Sequence, residues 1–342
     1  MNIQQQVRLD DYSTMGLGGP AAFLTTIEDR IELLEALSWA QEKKLPVIMI
    51  GGGSNILWRD EGFPGLVIVN HMKRYEISGE DQESAFLTAG AGEIWDEIVA
   101  KSVASGLSGI EALSLIPGTV GATPIQNVGA YGQEVSQTIS MIEAFDIQAK
   151  DFVMLRGEDC GFSYRNSRFK SADRGRFYIT AVTFHLQKLM PTPPYYAAVE
   201  RYLADNKITE VTPAVLRQAV IAIRQSRLPD PAKVHNNGSF FANPIVSAAD
   251  RAQIQAAHPD MPLWRLPDGS AKLSAAWMIE QAGFKDFHDD KTGMATWPAQ
   301  PLVLINENAK TTAQLLEFKQ TIVDAVREMF GVTLVQEPEL LP

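Results

Sequence analysis

From Ser114 to Gly132 the chain reads SLIPGTVGATPIQNVGAYG, with four glycines, two prolines and no charged residue. Neither a helical nor a strand period runs through it. Irregular loops this long inside a compact domain are uncommon, and are either functional or disordered. Leu115, Ile116, Val120, Ile125 and Val128 carry too much apolar surface for disorder. Glycine accepts positive φ and lets backbone approach a ligand closely. The stretch therefore predicts a backbone cradle for a large ligand. A second glycine turn, GGGSN at Gly51 to Asn55, follows the apolar run Pro46 to Ile50. Two such loops predict one extended cofactor.

A chain of 342 residues suffices for about two or three domains. Its 45% apolar and 21% charged residues are an ordinary globular mix. The net charge of −11 argues against a nucleic-acid binder, which carries a basic face. A phosphorylated ligand would then be held by loop amides and a few chosen cations. The single cysteine, Cys160, excludes an internal disulfide and fits a reducing compartment. The N-terminal MNIQQQVRLD has no apolar core of signal-peptide length, and no run reaches the ~18 residues of a membrane span. The expectation is a cytoplasmic monomer with neither nucleic-acid nor membrane partners.

Thr26 with Asp29 forms a capping-box pattern for a helix over Ile27 to Lys44, where Ile31, Leu34, Leu37 and Ala40 recur at helical spacing. Pro46 to Ile50 and Leu66 to Val69 read as buried strands flanking the GGGSN turn. Ala85 to Ala89 reads as another strand, leading into a helix over Ile94 to Ala104 that Gly106 ends. Ser140 to Ile147, Phe152 to Leu155 and Phe177 to Leu186 predict antiparallel strands joined by charged turns. Three prolines within Met190 to Pro194 mark a domain edge or an ordered insertion. Thr212-Pro213 starts a helix to about Gln225. Further helices are expected near Ser274 to Gln281 and over Thr312 to Phe330, with strands at Leu302 to Ile305 and Val332 to Val335. The order is αβ, then mostly β, then αβ. That is an α+β multidomain pattern and not continuous βαβ alternation.

The common phosphate-binding signatures are absent. GGGSNI lacks the third glycine of the dinucleotide fingerprint, AGAGEIW puts Trp95 in its place, and no GxxxxGKS/T occurs. His71, His185, His235, His258 and His288 show no paired ligand spacing, and one cysteine cannot build a zinc site, so no metal centre is expected. Three polar constellations remain. Tyr164-Arg165-Asn166-Ser167 places an arginine beside an aromatic residue just before a strand, or is an ordinary solvated arginine. Asn236-Asn237-Gly238-Ser239 reads first as a tight hairpin turn. With two aromatics following, it reads equally as a hydroxyl projected into a cleft. Glu337-Pro338-Glu339 is by default a solvated acidic tail. Local chemistry leaves all three open.

Taken together, these motifs resemble one family, the UDP-N-acetylenolpyruvoylglucosamine reductases of bacterial peptidoglycan synthesis, in the longer branch with a tyrosine-bearing loop. GGGSN at 51–55, IPGTVGATPIQNVGAYG at 116–132, YRNS at 164–167, NNGSFFANP at 236–244 and EPEL at 337–340 fall in the family's order. They span nearly the whole chain. The resemblance implies a two-part FAD-binding region of the vanillyl-alcohol-oxidase type, at 1–72 and 73–210, with the tyrosine loop inserted near 190–203. It further implies a separate α+β substrate-binding domain at 211–331 and a tail, 332–342, that returns to the active site. The implied reaction is NADPH-dependent, FAD-mediated reduction of UDP-N-acetylglucosamine enolpyruvate to UDP-N-acetylmuramate.

Carried over residue by residue, Gly51, Gly52, Gly53, Ser54 and Asn55 would wrap the pyrophosphate of FAD with main-chain amides, together with Pro117, Gly118, Thr119, Val120 and Gly121. Thr123 joins the cofactor set, and Gln126, Asn127, Tyr131 and Arg224 would sit in or near the flavin pocket. No histidine or cysteine in the glycine loops could tether a flavin, so the cofactor is expected to be non-covalent. Tyr164, Tyr196, Arg227, Asn243, Lys272 and Gln300 match substrate contacts, with neighbouring Tyr195 an alternative to Tyr196. Arg165 matches the residue that meets the substrate carboxylate, Glu339 its partner, and Ser239 the general acid.

Hydride addition to the terminal vinyl carbon would leave an enolate beside the substrate carboxylate, charge that a preorganised cation stabilises. A carboxylate there is repulsive, so Glu339 is expected to be protonated or to relay a proton at that stage. Ser239, a weak acid, would work through its neighbours. The chain departs from the family pattern at Arg227, usually lysine, at Trp297, where relatives have histidine, and at the ELLP tail, where EVR and a short strand are usual. Two other readings remain open: a flavin oxidase on the same scaffold, and a sugar-nucleotide binding protein without catalysis. The missing tether disfavours the first, and retention of Arg165, Ser239 and Glu339 disfavours the second.

Overall fold

The computed structural model describes all 342 residues, which divide into two compact units. The larger comprises residues 1–7, 21–52 and 64–226; the smaller comprises residues 8–20, 53–63 and 227–342. None of the helices is long and apolar enough to cross a membrane.

The larger unit holds two sheets. In the first, strands run in the order Gln4–Arg8, Pro20–Ile27, Phe63–Asn70, Val47–Ile50, the last two parallel. Helix α1 (Arg30–Glu42) covers it through Leu33, Ala36 and Ala40, which pack with Ile27, Leu66 and Ile68. The cap of the helix is Asp29 and not Thr26: the Asp29 carboxylate accepts from Glu32 N–H. Thr26 and Ile27 are instead the end of a strand. The inward stripe is Leu33, Ala36, Leu37 and Ala40, so Ile31 and Leu34, expected to face inward, are exposed at 68% and 42%.

The second sheet is antiparallel throughout, in the order Asp151–Arg156, Ile139–Asp146, Phe177–Gln187, Ser84–Gly90, Tyr75–Ser78. Helix α2 (Trp95–Ala104) packs Trp95, Ile98 and Val99 onto Ala85, Leu87 and Phe184. The proline-rich segment leads into α3 (Ala197–Asp205), which the sequence reading did not anticipate. It shares a core with α4 (Pro213–Arg227) through Val199, Leu203, Leu216, Val220 and Ile223. Thr212 caps α4 through its hydroxyl, which accepts from Val215 N–H.

In the smaller unit, strands Asn236–Ser239, Gln300–Asn306, Met294–Trp297 and His288–Asp289 form an antiparallel sheet in that order. Helices α5 (Ala248–Ala257), α6 (Ala275–Gln281) and α7 (Thr312–Phe330) accompany it. Leu315, Phe318, Ile322, Val326 and Phe330 make the buried stripe of α7, and Met15, Leu17 and Leu57 join that core from the N-terminal third of the chain. Asp60 accepts from the first amides of α7, Thr312 N–H at 2.6 Å and Ala313 N–H at 2.9 Å, a carboxylate at the positive end of the helix.

Two further expectations change here. Val332 to Val335 forms no strand; Val332 and Leu334 are buried, and the ladder forms instead at Glu339–Leu341, parallel to Ile56–Trp58. Asn237-Gly238 is not a hairpin turn. Asn236 pairs with Ile305 and Ser239 with Val303, so two residues oppose one, and Gly238 at φ 69° forms a bulge inside a strand.

Candidate functional site

Within the larger unit the two glycine loops lie against each other. A Cβ on Gly51 would stand 2.1 Å from Thr119 Oγ1, and one on Gly52 3.3 Å from the Cα of Gly118. Glycine at these positions is what lets the two loops close on each other, and bare backbone of this kind suits a pyrophosphate held by amides. Gly53, Ser54 and Asn55 continue into the smaller unit.

The long loop is hung on the start of α2. Trp95 N–H donates to Gly118 O at 3.0 Å, the Trp95 indole to Leu113 O at 2.9 Å, and Val120 and Gly121 N–H to Glu93 O and Ala91 O. Trp95, the residue that breaks the dinucleotide fingerprint, is thus the peg that shapes this loop. Asp96 accepts from Leu115 N–H at 2.5 Å and binds Arg217 of α4 through both oxygens, at 2.6 and 2.9 Å. Burial opposes ionisation of Asp96, but the Arg217 guanidinium and the Leu115 amide outweigh it and hold its carboxyl below the usual range. Neither Asp96 nor Arg217 carries a sequence signal, because their pairing joins positions 121 apart.

Arg224 projects from the same helix. Burial lowers its pKa, countered by Tyr131 and Asp96, and its Nε is buried without a hydrogen-bond partner. An acceptor on a bound cofactor would satisfy that atom. Gln126 accepts from Lys170 Nζ at 3.2 Å. Asn127, expected near the flavin, is buried and spends its amide on the protein: Nδ2 donates to Glu134 and Ser163 O, and Oδ1 accepts from Ser136 N–H. Its side chain shapes the loop from within. Thr123 likewise donates to Val120 O.

Ser163 and Asn166 exchange backbone hydrogen bonds at 3.1 Å each, so Tyr164 and Arg165 occupy the tip of a two-residue turn, not the approach to a strand. Arg165 sits at φ 53°, an uncommon value for a non-glycine residue. Its Nη2 donates to Gly129 O at 2.8 Å, and its guanidinium lies 5.1 Å from the Tyr164 ring centroid. The glycine-rich loop therefore also aims Arg165. Tyr131 meets Tyr196 edge-on at 5.6 Å, and Tyr196 is 41% exposed. Tyr195 donates to Pro191 O, which commits its hydroxyl to the loop's own backbone.

In the smaller unit Ser239 and Glu339 share one framework. Glu337 N–H donates to Phe240 O at 2.8 Å, Phe241 bridges Gln336, and Glu339 N–H donates to Asn55 O at 2.9 Å. Asn243 Oδ1 accepts from Ala275 N–H at the start of α6. Lys272 lies 5.5 Å from the Trp264 ring centroid, and Gln300 opens the strand opposite Trp297.

The profile of the FAD binding domain family matches residues 21–149, and that of the UDP-N-acetylenolpyruvoylglucosamine reductase C-terminal domain matches residues 230–341. A protein named UDP-N-acetylenolpyruvoylglucosamine reductase from Cupriavidus pinatubonensis is 41% identical over 330 residues, 96% of each chain. The chain belongs to the UDP-N-acetylenolpyruvoylglucosamine reductase family. It is accordingly a flavin-dependent oxidoreductase, α+β in fold, with an FAD-binding region followed by the family's C-terminal domain. A second family member, from Pseudomonas fluorescens, is 39% identical over 99% of this chain and 98% of its own. The crystal structure of the Thermus caldophilus reductase superposes over 100% of both chains with a TM-score of 0.69 at 24% identity, a likeness of fold. Against the family pattern, the ELLP ending still forms the short strand that the usual EVR would, because a parallel ladder needs backbone groups and not particular side chains.

Proposed function

We propose that the protein reduces the enol ether of UDP-N-acetylglucosamine enolpyruvate to UDP-N-acetylmuramate, with FAD as non-covalent carrier and NADPH as hydride donor. The observation that carries this reading is the backbone framework that ties Phe240 and Phe241, just after Ser239, to Gln336 and Glu337, just before Glu339, and so links two motifs about 100 residues apart. Bound FAD supplies a two-electron carrier that accepts hydride from NADPH and returns it to the terminal vinyl carbon of the substrate.

The protein's own groups manage charge and protons. As hydride forms the new C–H bond, the vinyl π electrons move to the α-carbon and delocalise onto the neighbouring carboxylate. Arg165, held at Gly129 O and against Tyr164, places a guanidinium to counter that charge. Ser239 gives its hydroxyl proton to the α-carbon, and Glu339 relays a proton to restore the serine. Gly51, Gly52, Gly118 and Thr119 present backbone to the FAD pyrophosphate, with Arg224 and Tyr131 toward the flavin, while Val120 and Gly121, whose N–H groups go to Glu93 O and Ala91 O, and Pro117, which has no N–H, shape the loop. Tyr164, Tyr196, Arg227, Asn243, Lys272 and Gln300 bind the sugar nucleotide.

The deciding assay follows NADPH oxidation by the flavin-loaded protein with and without the UDP-sugar enol ether. Stimulation by that substrate, with one reduced product per NADPH consumed, supports the reading. Oxygen uptake that ignores the enol ether would sink it in favour of an oxidase.

A further inference from the structure

Asn237 has no part in the chemistry above, yet its side chain is buried beside the residues that do. Its Nδ2 faces three acceptors: Thr14 Oγ1 at 3.1 Å, Ser54 O at 3.2 Å and Ile56 O at 3.4 Å. Thr14 Oγ1 acts as an acceptor because its own proton goes to Asn236 O at 2.6 Å. The carboxamide nitrogen must therefore point this way, and Oδ1 is left buried without a partner. An unpaired buried acceptor is destabilising. What the amide holds is given by its acceptors, Thr14 and the 54–56 turn.

Ser54 O and Ile56 O flank Asn55, whose carbonyl takes the Glu339 N–H, and Ile56 is the register partner of Glu339. The tail is joined in turn to the serine strand at Phe240 O and Phe241. Three segments, 236–241, 54–58 and 336–341, thus form a closed triangle. Two of its sides are backbone pairings. The third, between the serine strand and 54–58, is made by the Asn237 amide and by Thr14, which accepts from Asn236 N–H and donates to Gly53 O. The bulge at Gly238 makes this side the least constrained by a ladder, since it lies where the regular register is interrupted.

We propose that Asn237 is a positioning residue: its carboxamide closes the triangle and so fixes the Ser239 hydroxyl relative to Glu339 for protonation of the α-carbon. The inference rests on the reductase reading. Its test compares wild type with N237A, and with N237S should the alanine variant fold poorly, in three measurements. In stopped flow, flavin reduction by NADPH stays within about twofold, while reoxidation by the enol ether slows about 10- to 100-fold with little change in KM. In the flavin-free protein, amide hydrogen exchange rises at 54–57 and 337–340. Parallel loss of both half-reactions with thermal stability would make Asn237 merely structural and overturn the proposal. So would a variant whose reoxidation and exchange match wild type. A wild type that ignores the enol ether would take down the reductase reading and this inference together, whereas an active wild type with an indifferent variant removes the inference alone.

Discussion

Ser239 occupies the residue after a left-handed glycine, on a strand whose register slips at that point, so its hydroxyl is aimed by a bulge and not by regular alternation. In the proposed mechanism that hydroxyl acts only after the flavin has been reduced. Ser239→Ala should therefore keep the NADPH half-reaction near wild type and slow the enol-ether half-reaction by about 10²- to 10⁴-fold, as expected for loss of a general acid. Rapid-mixing absorbance at the flavin band separates the two, and equal losses in both would refute the assigned role. At the other chemical extreme is Asp146, a structural carboxylate. Hydrogen bonds from Arg176, stronger than the opposing burial, hold its pKa down to about 2. Its folded pKa lies below the unfolded value of about 3.9, so its contribution is complete above about pH 4 and is lost as pH falls toward 2. Asp146→Asn should lower unfolding stability by about 1–3 kcal/mol at neutral pH. Urea melts should show the gap between variant and wild type narrowing below about pH 4; a gap independent of pH would disprove the linkage.

At the scale of elements, the glycine loops were legible because their composition excludes the alternatives: no period, no charge, too apolar for disorder. Their mutual contact was not, since Gly51 and Thr119 are brought together only by folding. That contact makes a direct prediction. Gly51→Ala drives a methyl into Thr119 Oγ1, an overpacking cost of about 1–3 kcal/mol. The FAD dissociation constant, read by fluorescence titration of the flavin-free protein, should rise roughly tenfold or more. Thr119→Ala in the same background should recover part of the loss, and no recovery would mean that the cradle is shaped otherwise. Helix α7 keeps the expected span, Thr312–Phe330, and the structure adds a Thr311–Gln314 capping box before it and the left-handed Gly331 after it. The start of α1 was misplaced because Thr26, read with Asp29 as a capping box, ends a strand, and Asp29 itself is the cap. The tail strand was misplaced for a different reason. Val332 to Val335 has the composition of a strand, but a strand needs a partner, and the partner, Ile56–Trp58, pairs with Glu339–Leu341.

At the scale of the whole molecule, the smaller unit is assembled from three separated stretches of chain. Residues 8–20 supply Met15 and Leu17 to its core, and 53–63 supply Leu57, the partner strand of the tail and the Asp60 cap of α7. The family profile at 230–341 covers only the last stretch. A fragment of residues 227–342 should accordingly lack a cooperative thermal transition by circular dichroism, because its core is missing buried side chains and one strand of a ladder. The full chain should melt cooperatively, and a sharp transition in the fragment would contradict this account.

The order of the motifs was enough to carry the resemblance to an α+β flavoprotein family, because each motif is written in contiguous residues, and composition with glycine spacing was enough to expect a backbone cradle. What only the tertiary structure decided is how those residues are held: Trp95 and Asp96 shaping the glycine loop, Gly129 aiming Arg165, Asn237 bridging to Ser54 and Ile56. These contacts join positions 19, 36 and 183 residues apart. Hydrogen-bond geometry of that kind leaves no periodicity in a chain, so it becomes visible only once the chain has folded.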